Sequence, residues 1–444
     1  MPVAGLLWQH PTRDNCEVAA LELTAAERHP CRDYITAVAG QQLLYGALSP
    51  TTNGFCCQSD NGALRPSQHR KPPSSATLEH TPRAGTNPSR TDYTDREPHQ
   101  PSRPRRPQPS PPSPPSPPPL AMGVLTWLGL RRSECFDSPT LLDHLLTSPL
   151  AYLVSRFYHL ALFLRGTPFY PPRSRPPIRV VCISDTHDQV VSVPAGDILI
   201  HAGDLTNDGS ASAIQKQLDW LKAQPHRVKV VIAGNHDSFF DPEARSDEDV
   251  RAGAALNLDG LVYLQGELTV QEIKGRSISI FGAPDIIECG PKNFAFQYKP
   301  ESHPWLSKVP LQTDILVTHG PPKYHRDLDL GCPHLLREVW RVRPRLHVFG
   351  HIHCAYGKEA AYFDDVQLAY EHFLARPRRG LLGDLIPSGT WVDAAKVVFH
   401  GIHSVLWKWL MGGPRSNQGS LMVNAAQMYK NSGRARSRAI VVDI

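Results

Sequence analysis

The stretch IRVVCISDTH, residues 178–187, is a run of apolar and β-branched residues that ends in an acidic residue and a histidine. Runs of this length and composition, bounded by polar residues, are typical of β-strands. The i, i+2 spacing of Asp185 and His187 would place both side chains on one face of an extended chain. The stretch therefore predicts a buried strand that delivers two ligand-type side chains where it ends.

Four later stretches show the same pattern, namely DILIHAGD (197–204), VKVVIAGNHD (228–237), DILVTHG (314–320) and LHVFGHIH (346–353). Helical stretches lie between several of them, which is an α/β pattern. The carboxyl ends of strands are where sites assemble in open α/β sheets, so we expect the blocks to converge. Each block alone has an ordinary turn composition. Together they supply oxygen and imidazole donors in a number that suits two metal ions. The donors are Asp185, His187, Asp204, Asn235, His319, His351 and His353.

In chain order, the blocks DTH, GD, GNHD, TH and GHIH resemble the signature of the calcineurin-like metallophosphoesterases. GNHDSFFD, LVTHGPP and RVRPRLHVFGHIHCAYG are similar to the metallophosphoesterase-domain (brain-239-like) branch of class III phosphodiesterases. The resemblance covers residue 179 to about residue 356 and resumes in SLMVNAAQMY and RAIVVDI near the C-terminus. It implies a four-layer α-β-β-α sandwich of two mixed β-sheets, with the site at one end.

The resemblance also implies roles for individual residues. The first metal ion would be bound by Asp185, His187, Asp204 and His353. The second would be bound by Asp204, Asn235, His319 and His351, so Asp204 would bridge the two ions. His236 would be the catalytic acid facing the leaving group. The implied reaction is the hydrolysis of small phosphodiesters, cyclic nucleotides among them, by a hydroxide that bridges the metals.

The donor types narrow the choice of metal. Imidazole-rich ligation disfavours Mg²⁺ and Ca²⁺, which prefer all-oxygen ligands. Manganese, iron, zinc and nickel all remain open on this ground, and manganese is the first expectation among them.

Two competing enzyme classes are disfavoured by the sequence. Serine/threonine protein phosphatases resemble GDxVDRG at the second block, whereas this chain has GDLTNDG, with Asn207 and Asp208 where those enzymes carry an Asp and a phosphate-binding Arg. A nuclease would need a basic face, yet the net charge is only +5 and no compact basic stripe is present. A broad phosphomonoesterase, and a nucleotide-binding or scaffold protein with a vestigial site, remain alternatives.

Four residues are predicted to line the substrate pocket. Phe294 and Phe296, in KNFAFQY, would stack on a nucleobase, and the alternative for both is core packing. Lys323 and His325, after HGPP, would contact phosphate, and the alternative for both is a solvated turn.

Composition divides the chain into five parts. Residues 1–121 are predicted to be a disordered tail, because many of the 43 prolines lie there and no sustained period is present. Residues 122–177 are predicted to be a helical extension, and 178–360 to be the metallophosphoesterase domain. An insertion is expected over 361–419, followed by strands over 420–444 that complete the domain.

Two apolar segments lie outside the predicted strands. Residues 148–164 include Arg156 and His159, so a packed or interfacial helix is expected rather than a membrane span. Residues 391–413 predict an amphipathic helix that either packs on its own domain or contacts a membrane surface or a protein partner. Its apolar face would comprise Trp391, Ala395, Val398, Ile402, Val405 and Trp409.

The cysteines and the N-terminus bear on the compartment. The nine cysteines are odd in number, scattered and without a CxxC pair, which predicts a reduced, intracellular and cytoplasmic protein. The first twenty residues lack a continuous apolar stretch, so no secretory signal is expected.

Overall fold

The structure is a computed structural model that describes residues 124–133, 137–413, 415–430 and 432–444. The predicted disordered tail over 1–121 lies outside the described residues, as do five of the nine cysteines. All described residues belong to one unit.

The first β-sheet has five strands. Their bounds are β1 Arg179–Ile183, β2 Ile198–Ala202, β3 Val228–Ile232, β4 Val262–Tyr263 and β13 Ile440–Asp443. The spatial order is β13-β1-β2-β3-β4, with β13 antiparallel to β1 and the others parallel. The register aligns Ile183 with His201, and His201 with Val231. The three central strands therefore end at nearly the same level.

The second β-sheet has six strands. Their bounds are β5 Glu267–Ile273, β6 Arg276–Ala283, β9 Ile315–Thr318, β10 Leu346–Phe349, β11 Gly357–Ala361 and β12 Ser420–Asn424. The spatial order is β11-β12-β10-β9-β6-β5, in which the two edge strands are antiparallel to their neighbours. A separate two-stranded sheet pairs β7, Ile286–Ile287, with β8, Gln297–Tyr298.

The two large sheets pack face to face, and a helix covers each outer face. The core between the sheets includes Val180, Ile200, Val230, Ile280, Val317 and Val348. Helix α4, Ala211–Lys222, packs on the first sheet through residues such as Ile214 and Leu218. Helix α6, Pro333–Val342, packs on the second sheet through Leu335 and Val339. The predicted four-layer α-β-β-α sandwich is therefore confirmed.

The remaining helices lie before β1, between the sheets' strands, and between β11 and β12. They are α1 Val124–Trp127, α2 Leu141–Thr147, α3 Pro149–Arg165, α5 Asp247–Arg251, α7 Asp365–Leu374, α8 Gly380–Asp384 and α9 Gly389–Trp407. Short 3₁₀ turns span Ser238–Phe240 and His353–Ala355, and a π-turn, Lys408–Gly412, extends α9. Helix α3 begins at Ser148, whose Oγ accepts from the amide of Ala151, with Pro149 in the first helical position.

Helices α3, α7 and α9 form a third apolar cluster beside β11. It contains Leu150, Val154, Tyr158, Val366, Tyr370, Phe373, Ala394 and Val397. The rings of Tyr158 and Tyr370 stack with centroids 3.8 Å apart. We call these three helices the helical layer. The N-terminal extension and the insertion, which are far apart in sequence, therefore combine into one structural element.

Helix α9 packs on the other helices of this layer through a face other than the one that its sequence predicted. Ala394, Val397 and Gly401 are buried, and a Cβ at Gly401 would lie only 2.5 Å from the Phe157 ring. The predicted apolar face instead reaches solvent, with Ile402 49% exposed and Trp409 55% exposed. Small residues make the contact because they let the helix backbones approach closely.

None of the helices in the described part of the chain is long and apolar enough to cross a membrane. Helix α3, which covers the apolar segment 148–164, buries Val154 and Tyr158 against the rest of the helical layer. The described cysteines, Cys182, Cys289, Cys332 and Cys354, are free thiols.

Candidate metal centre

The strands β1, β2 and β10 are each followed by a ligand-type residue in a left-handed conformation. The φ angles are 52° at Asp185, 55° at Asp204 and 65° at His351. Residues other than glycine seldom adopt such φ angles, and strained residues of this kind cluster at functional sites. His187 also has a positive φ, of 45°. Asp185 and His187 therefore come together through a tight turn, not through the strand alternation that their spacing suggested.

Two glycines allow the loops to close around these side chains. A Cβ at Gly350 would lie 2.0 Å from Asp185 Oδ2, and a Cβ at Gly234 would lie 2.3 Å from Asp204 Oδ1. Any other residue at either position would displace a carboxylate. The glycines of the GHIH and GNHD blocks are therefore required by close approach.

The first donor group comprises four residues whose ligand atoms lie within 4.8 Å of one another, namely Asp185, His187, Asp204 and His353. His353 Nε2 lies 3.2 Å from Asp185 Oδ1 and 3.3 Å from His187 Nε2. His187 Nε2 lies 3.6 Å from Asp204 Oδ2. Two imidazole nitrogens and two carboxylates thus face one small volume.

The second donor group comprises Asp204, His319 and His351, again within 4.8 Å of one another. His319 Nε2 lies 3.4 Å from Asp204 Oδ2 and 2.9 Å from the Oδ1 of Asn235. Asp204 therefore belongs to both groups. The structure brings together all seven residues that the resemblance assigned to metal, while their role as ligands stays a prediction.

Backbone carbonyls orient two of the imidazoles. His353 Nδ1 donates to the carbonyl of Lys430 at 2.5 Å, and His319 Nδ1 donates to that of Ala202 at 2.9 Å. Each bond places the hydrogen on Nδ1 and directs Nε2 into the donor group. Metal-binding histidines are held in this way by their other ring nitrogen.

The neighbouring histidines keep the carboxylates ionised although the site is buried. Burial opposes the charge of Asp185, but the hydrogen bond with His353 and the charges of His353 and His319 together outweigh burial and lower the pKa to about 2. Burial also opposes protonation of His319, but the charge and hydrogen bond of Asp204, the charge of Asp185 and the carbonyl of Ala202 together outweigh burial and raise the pKa to about 9. Burial, followed by the charge of His319, lowers the pKa of His351 to about 3. The buried carboxylates therefore attract cations.

Asp237 organises the loops around the site, although sequence reasoning assigned it no role. Its Oδ1 accepts from the amide and hydroxyl of Thr206, and its Oδ2 accepts from the amides of Leu205 and Gly234. These bonds tie the loop after β2 to the loop after β3. Burial, and then the charge of Asp204, raises the pKa of Asp237 to about 6. The sequence signal that could have pointed to this role was the position of Asp237 in the GNHD block.

His236 lies at the edge of the donor groups with its ring held in place. Its amide donates to Asp204 Oδ1 at 2.9 Å, and its Nδ1 donates to the carbonyl of Asn207 at 3.1 Å. The Phe294 ring lies against it, with centroids 4.6 Å apart. The ring nitrogen opposite that carbonyl bond, Nε2, is therefore the one that a substrate would meet.

Of the predicted pocket residues, Phe294 lies beside the site, whereas Phe296 and Lys323 are bound to neighbouring residues. The amide of Phe296 donates to Asp241 Oδ2 at 2.7 Å, and its φ is 57°. Lys323 Nζ is bound by the carbonyl and the carboxylate of Asp329, at 2.7 and 3.0 Å. The substrate roles of Phe294, Phe296 and Lys323 stay predictions.

The prediction that His325 contacts substrate is wrong. Its side chain is fully buried. Its Nδ1 and Nε2 each lie 3.0 Å from a carboxylate oxygen, of Glu359 and of Glu371 respectively. His325 therefore links the domain to the helical layer, because Glu359 is on β11 and Glu371 is on α7.

The donor groups fit two divalent ions of transition-metal type. Nε2 of His187 and Nε2 of His353 face each other at 3.3 Å. Two lone pairs at that distance repel unless a proton or a cation lies between them. Mixed imidazole and carboxylate donors suit manganese, iron, nickel or zinc. Asp185, His187, Asp204 and His353 would hold one ion, and Asp204, Asn235, His319 and His351 would hold the other.

Two overlapping donor groups at one end of a double β-sandwich define the class of the metallophosphoesterases. The calcineurin-like phosphoesterase profile matches residues 178–355, and the chain belongs to this family. The resemblance stated from the five sequence blocks is therefore confirmed.

Curated relatives agree at this level. Metallophosphoesterase domain-containing protein 1 of Homo sapiens is 37% identical over 209 residues, which is 40% of this chain and 61% of that protein. UPF0046 protein C25E10.12 of Caenorhabditis elegans is 34% identical over 198 residues, covering 40% and 70%. Probable rhamnogalacturonate lyase C of Emericella nidulans is 39% identical over 271 residues, covering 60% and 24%. The chain thus spans about a quarter of that lyase.

Proposed function

We propose that this hydrolase is a dinuclear metal-dependent phosphodiesterase acting on small phosphodiesters, with cyclic nucleotides as the favoured class. The observation that carries the proposal is the pair of donor groups that share Asp204. Paired ions of this kind clamp the attacking and leaving oxygens of a phosphoryl centre, and they supply a nucleophile by lowering the pKa of bound water.

The charge of the site favours an anionic substrate. Two divalent ions would bring four positive charges, whereas Asp185 and Asp204 return two negative ones. The remaining donors, imidazoles and the amide of Asn235, are neutral as ligands. A phosphate ester would complete this balance, and manganese is our first expectation for the ions.

His236 supplies the acid. Its Nδ1 is held by the carbonyl of Asn207, so a proton on Nε2 points away from that loop and towards a bound ester. Donation of this proton would stabilise the departing alkoxide of an alkyl diester, because an alkoxide is a poorer leaving group than a nitrophenolate. The neighbouring Phe294 ring offers an apolar surface for the sugar or base of the same leaving group.

The loop after β2 supports a diesterase over a protein phosphatase. The acidic residue Asp208 lies where those enzymes carry a phosphate-binding Arg. Asn207, which lies where they carry an Asp, has its side chain engaged within the loop. Its Nδ2 donates to Asp188 Oδ2 at 2.6 Å and to the carbonyl of His187 at 3.2 Å. Neither Asn207 nor Asp208 therefore provides a cation that could bind a terminal phosphate.

Metal content and paired substrates test the proposal together. The purified protein, loaded separately with manganese, iron, zinc or nickel, would be assayed on bis(p-nitrophenyl) phosphate, p-nitrophenyl phosphate and cyclic nucleotides. We expect about two ions per chain and faster turnover of the diesters. Faster turnover of the monoester would favour a phosphomonoesterase. Tight nucleotide binding without turnover under any metal would favour a binding or scaffold protein.

Two substitutions separate ligand from acid. Asp204→Asn removes the shared carboxylate, so metal content and activity should fall together. His236→Gln should keep both ions and lose about 100- to 10,000-fold in rate on a cyclic nucleotide, with a smaller loss on the nitrophenyl diester. His303→Gln, in the exposed pair that His303 forms with His334, is the matched control. It should change neither the metal content nor the rate. Equal losses on both substrates would remove the acid step from the mechanism.

A further inference from the structure

The helical layer exposes large apolar side chains on two neighbouring helices. On α3, Phe163 is 79% exposed, and Leu160 and Leu164 are also at the surface. On α9 and its π-turn, Ile402, Leu406 and Trp409 are each about half exposed. We call these six residues the outer apolar face.

The two helices are in direct contact, so these side chains form one surface. Trp409 Nε1 donates to the carbonyl of Leu164 at 2.9 Å. Further back along the helices, Gly401 lies against Phe157 and Ala161. Monomeric soluble proteins seldom expose contiguous apolar patches of more than a few hundred Å², and larger ones mark interaction sites.

The two segments that carry this face are mostly basic. Beside them, at the start of α7, Asp364 pairs with Arg165 at 2.7 Å and Asp365 is exposed. Residues 141–165 and 375–419 together contain eight Lys or Arg residues and three acidic residues. The acidic residues, Asp143, Asp384 and Asp393, are all buried, at 5%, 5% and 6% exposure. Asp384 accepts from Ser148 and Leu150 at the start of α3, and Asp393 pairs with Arg376. Carboxylates from these two segments are thus used inside the layer, while Arg156, Arg378 and Arg379 remain exposed.

We propose that the outer apolar face docks on the surface of an anionic lipid bilayer. Exposed Leu, Ile, Phe and Trp side chains flanked by cations are the pattern of helices that lie in the membrane interface. Trp409 has the amphipathic ring that favours the headgroup level. None of the described helices is long and apolar enough to cross a membrane. The 17 residues of α3 give about 25 Å of helix to lie along its surface.

Charge distinguishes the bilayer from a second copy of the chain as occupant. A two-fold dimer places the same patch of both subunits together. The cations around one outer apolar face would then meet those around the other, which disfavours the contact. At an anionic lipid surface, by contrast, each nearby Lys or Arg raises the binding affinity of the protein about fivefold.

Sedimentation of the full chain with vesicles tests the proposal. Vesicles of phosphatidylserine and phosphatidylcholine would be compared with vesicles of phosphatidylcholine alone, at 0.05 and 0.5 M salt. We expect binding to the anionic vesicles that weakens strongly at high salt and on neutral lipid.

Matched variants separate the apolar and the cationic contributions. Phe163→Ser combined with Ile402→Ser should weaken vesicle binding at least tenfold. The control is Leu306→Ser, because Leu306 is 81% exposed but lies outside the helical layer. Hydrolysis of a soluble nitrophenyl ester should be unchanged in all of these variants.

The cations need their own pair of variants. Arg378→Gln with Arg379→Gln should weaken binding to anionic vesicles by more than tenfold, at about fivefold for each residue. Lys216→Gln with Arg251→Gln, on α4 and α5, is the charge-matched control and should bind as the parent does. Absence of vesicle binding by the parent, or equal binding by the apolar variant, would overturn the proposal. Self-association of the parent that is lost in the apolar variant, seen by analytical ultracentrifugation, would overturn it in favour of a dimer.

Discussion

His325 should stabilise the fold through an ion pair that is lost in alkali. The imidazole is fully buried between Glu359 and Glu371, with both ring nitrogens 3.0 Å from a carboxylate oxygen. Burial opposes its charge, but the hydrogen bonds and charges of the two glutamates outweigh this effect and raise the pKa from 6.5 to about 10. The buried group is therefore a cation at neutral pH.

Replacing His325 with Gln leaves two buried carboxylates without their shared cation. Removing one partner of a buried ion pair costs about 3–5 kcal/mol of the free energy of unfolding. The pKa shift gives a similar size, about 5 kcal/mol, at about 1.4 kcal/mol per pKa unit. Trp340 Nε1 and Gln367 Nε2 still donate to Glu371, at 2.8 Å each. We therefore expect a loss near the lower end, about 3 kcal/mol.

The pH dependence has a definite sign. The folded pKa of His325 lies above its unfolded value, so the stabilisation is fully present below about pH 6.5 and is lost as pH rises towards and through about 10. The difference in the free energy of unfolding between parent and variant should therefore be largest near pH 6 and should shrink towards zero near pH 10.

Urea unfolding of parent and His325→Gln at pH 6, 8 and 10 measures this difference. His159→Gln is the control, because His159 lies 3.7 Å from Glu359 but is about half exposed and should contribute less than about 1 kcal/mol. A His325 variant that loses under about 1 kcal/mol at pH 6, or a difference that does not change with pH, would refute the ion-pair reasoning. A raised KM with normal stability would instead restore the substrate role.

Three further outcomes are expected. A chain beginning at Met122 should keep its metal content and kcat, because all seven proposed ligands lie between residues 185 and 353; loss of turnover with normal metal content would show a contribution from the tail. Gly234→Ala should lower metal content and activity, since its Cβ would lie 2.3 Å from Asp204 Oδ1; Gly389→Ala, whose Cβ would have no neighbour nearer than 3.6 Å, should do neither. Chelation of divalent ions should lower the melting temperature of the parent but not of Asp204→Asn, because ions that bind only the folded state stabilise it by mass action.

Local pattern was enough to find the strands and their terminal residues. The runs ending at Asp185, Asp204, Asn235, His319 and His351 all became strands of the two sheets. Strand formation depends on β-branched residues close together in the chain, and turn residues then mark where each run stops. The family resemblance added which of these residues belong to which donor group, and the geometry agrees with that division.

Pocket residues were harder to place from sequence, because burial depends on partners far along the chain. His325 follows a Pro-rich turn and reads as exposed, yet it is covered by β11 and α7, whose glutamates lie 34 and 46 residues away. The carbonyl of Lys430, which orients His353 from 77 residues away, has no side-chain signal at all. Backbone acceptors are present at every residue, so sequence cannot single one out.

Sequence by itself determined the strands, the α/β class and the set of metal-type residues, since strand propensity and ligand chemistry are properties of short segments. The four-layer sandwich was implied by the family resemblance. Tertiary structure alone decided which face of α9 is buried. Periodicity selects the most apolar stripe of a helix, which here contains Trp391 and Trp409. The packed face is instead the one with Ala394 and Gly401, because α3 approaches so closely that only small side chains fit between the helices. That steric choice left the larger apolar residues at the surface.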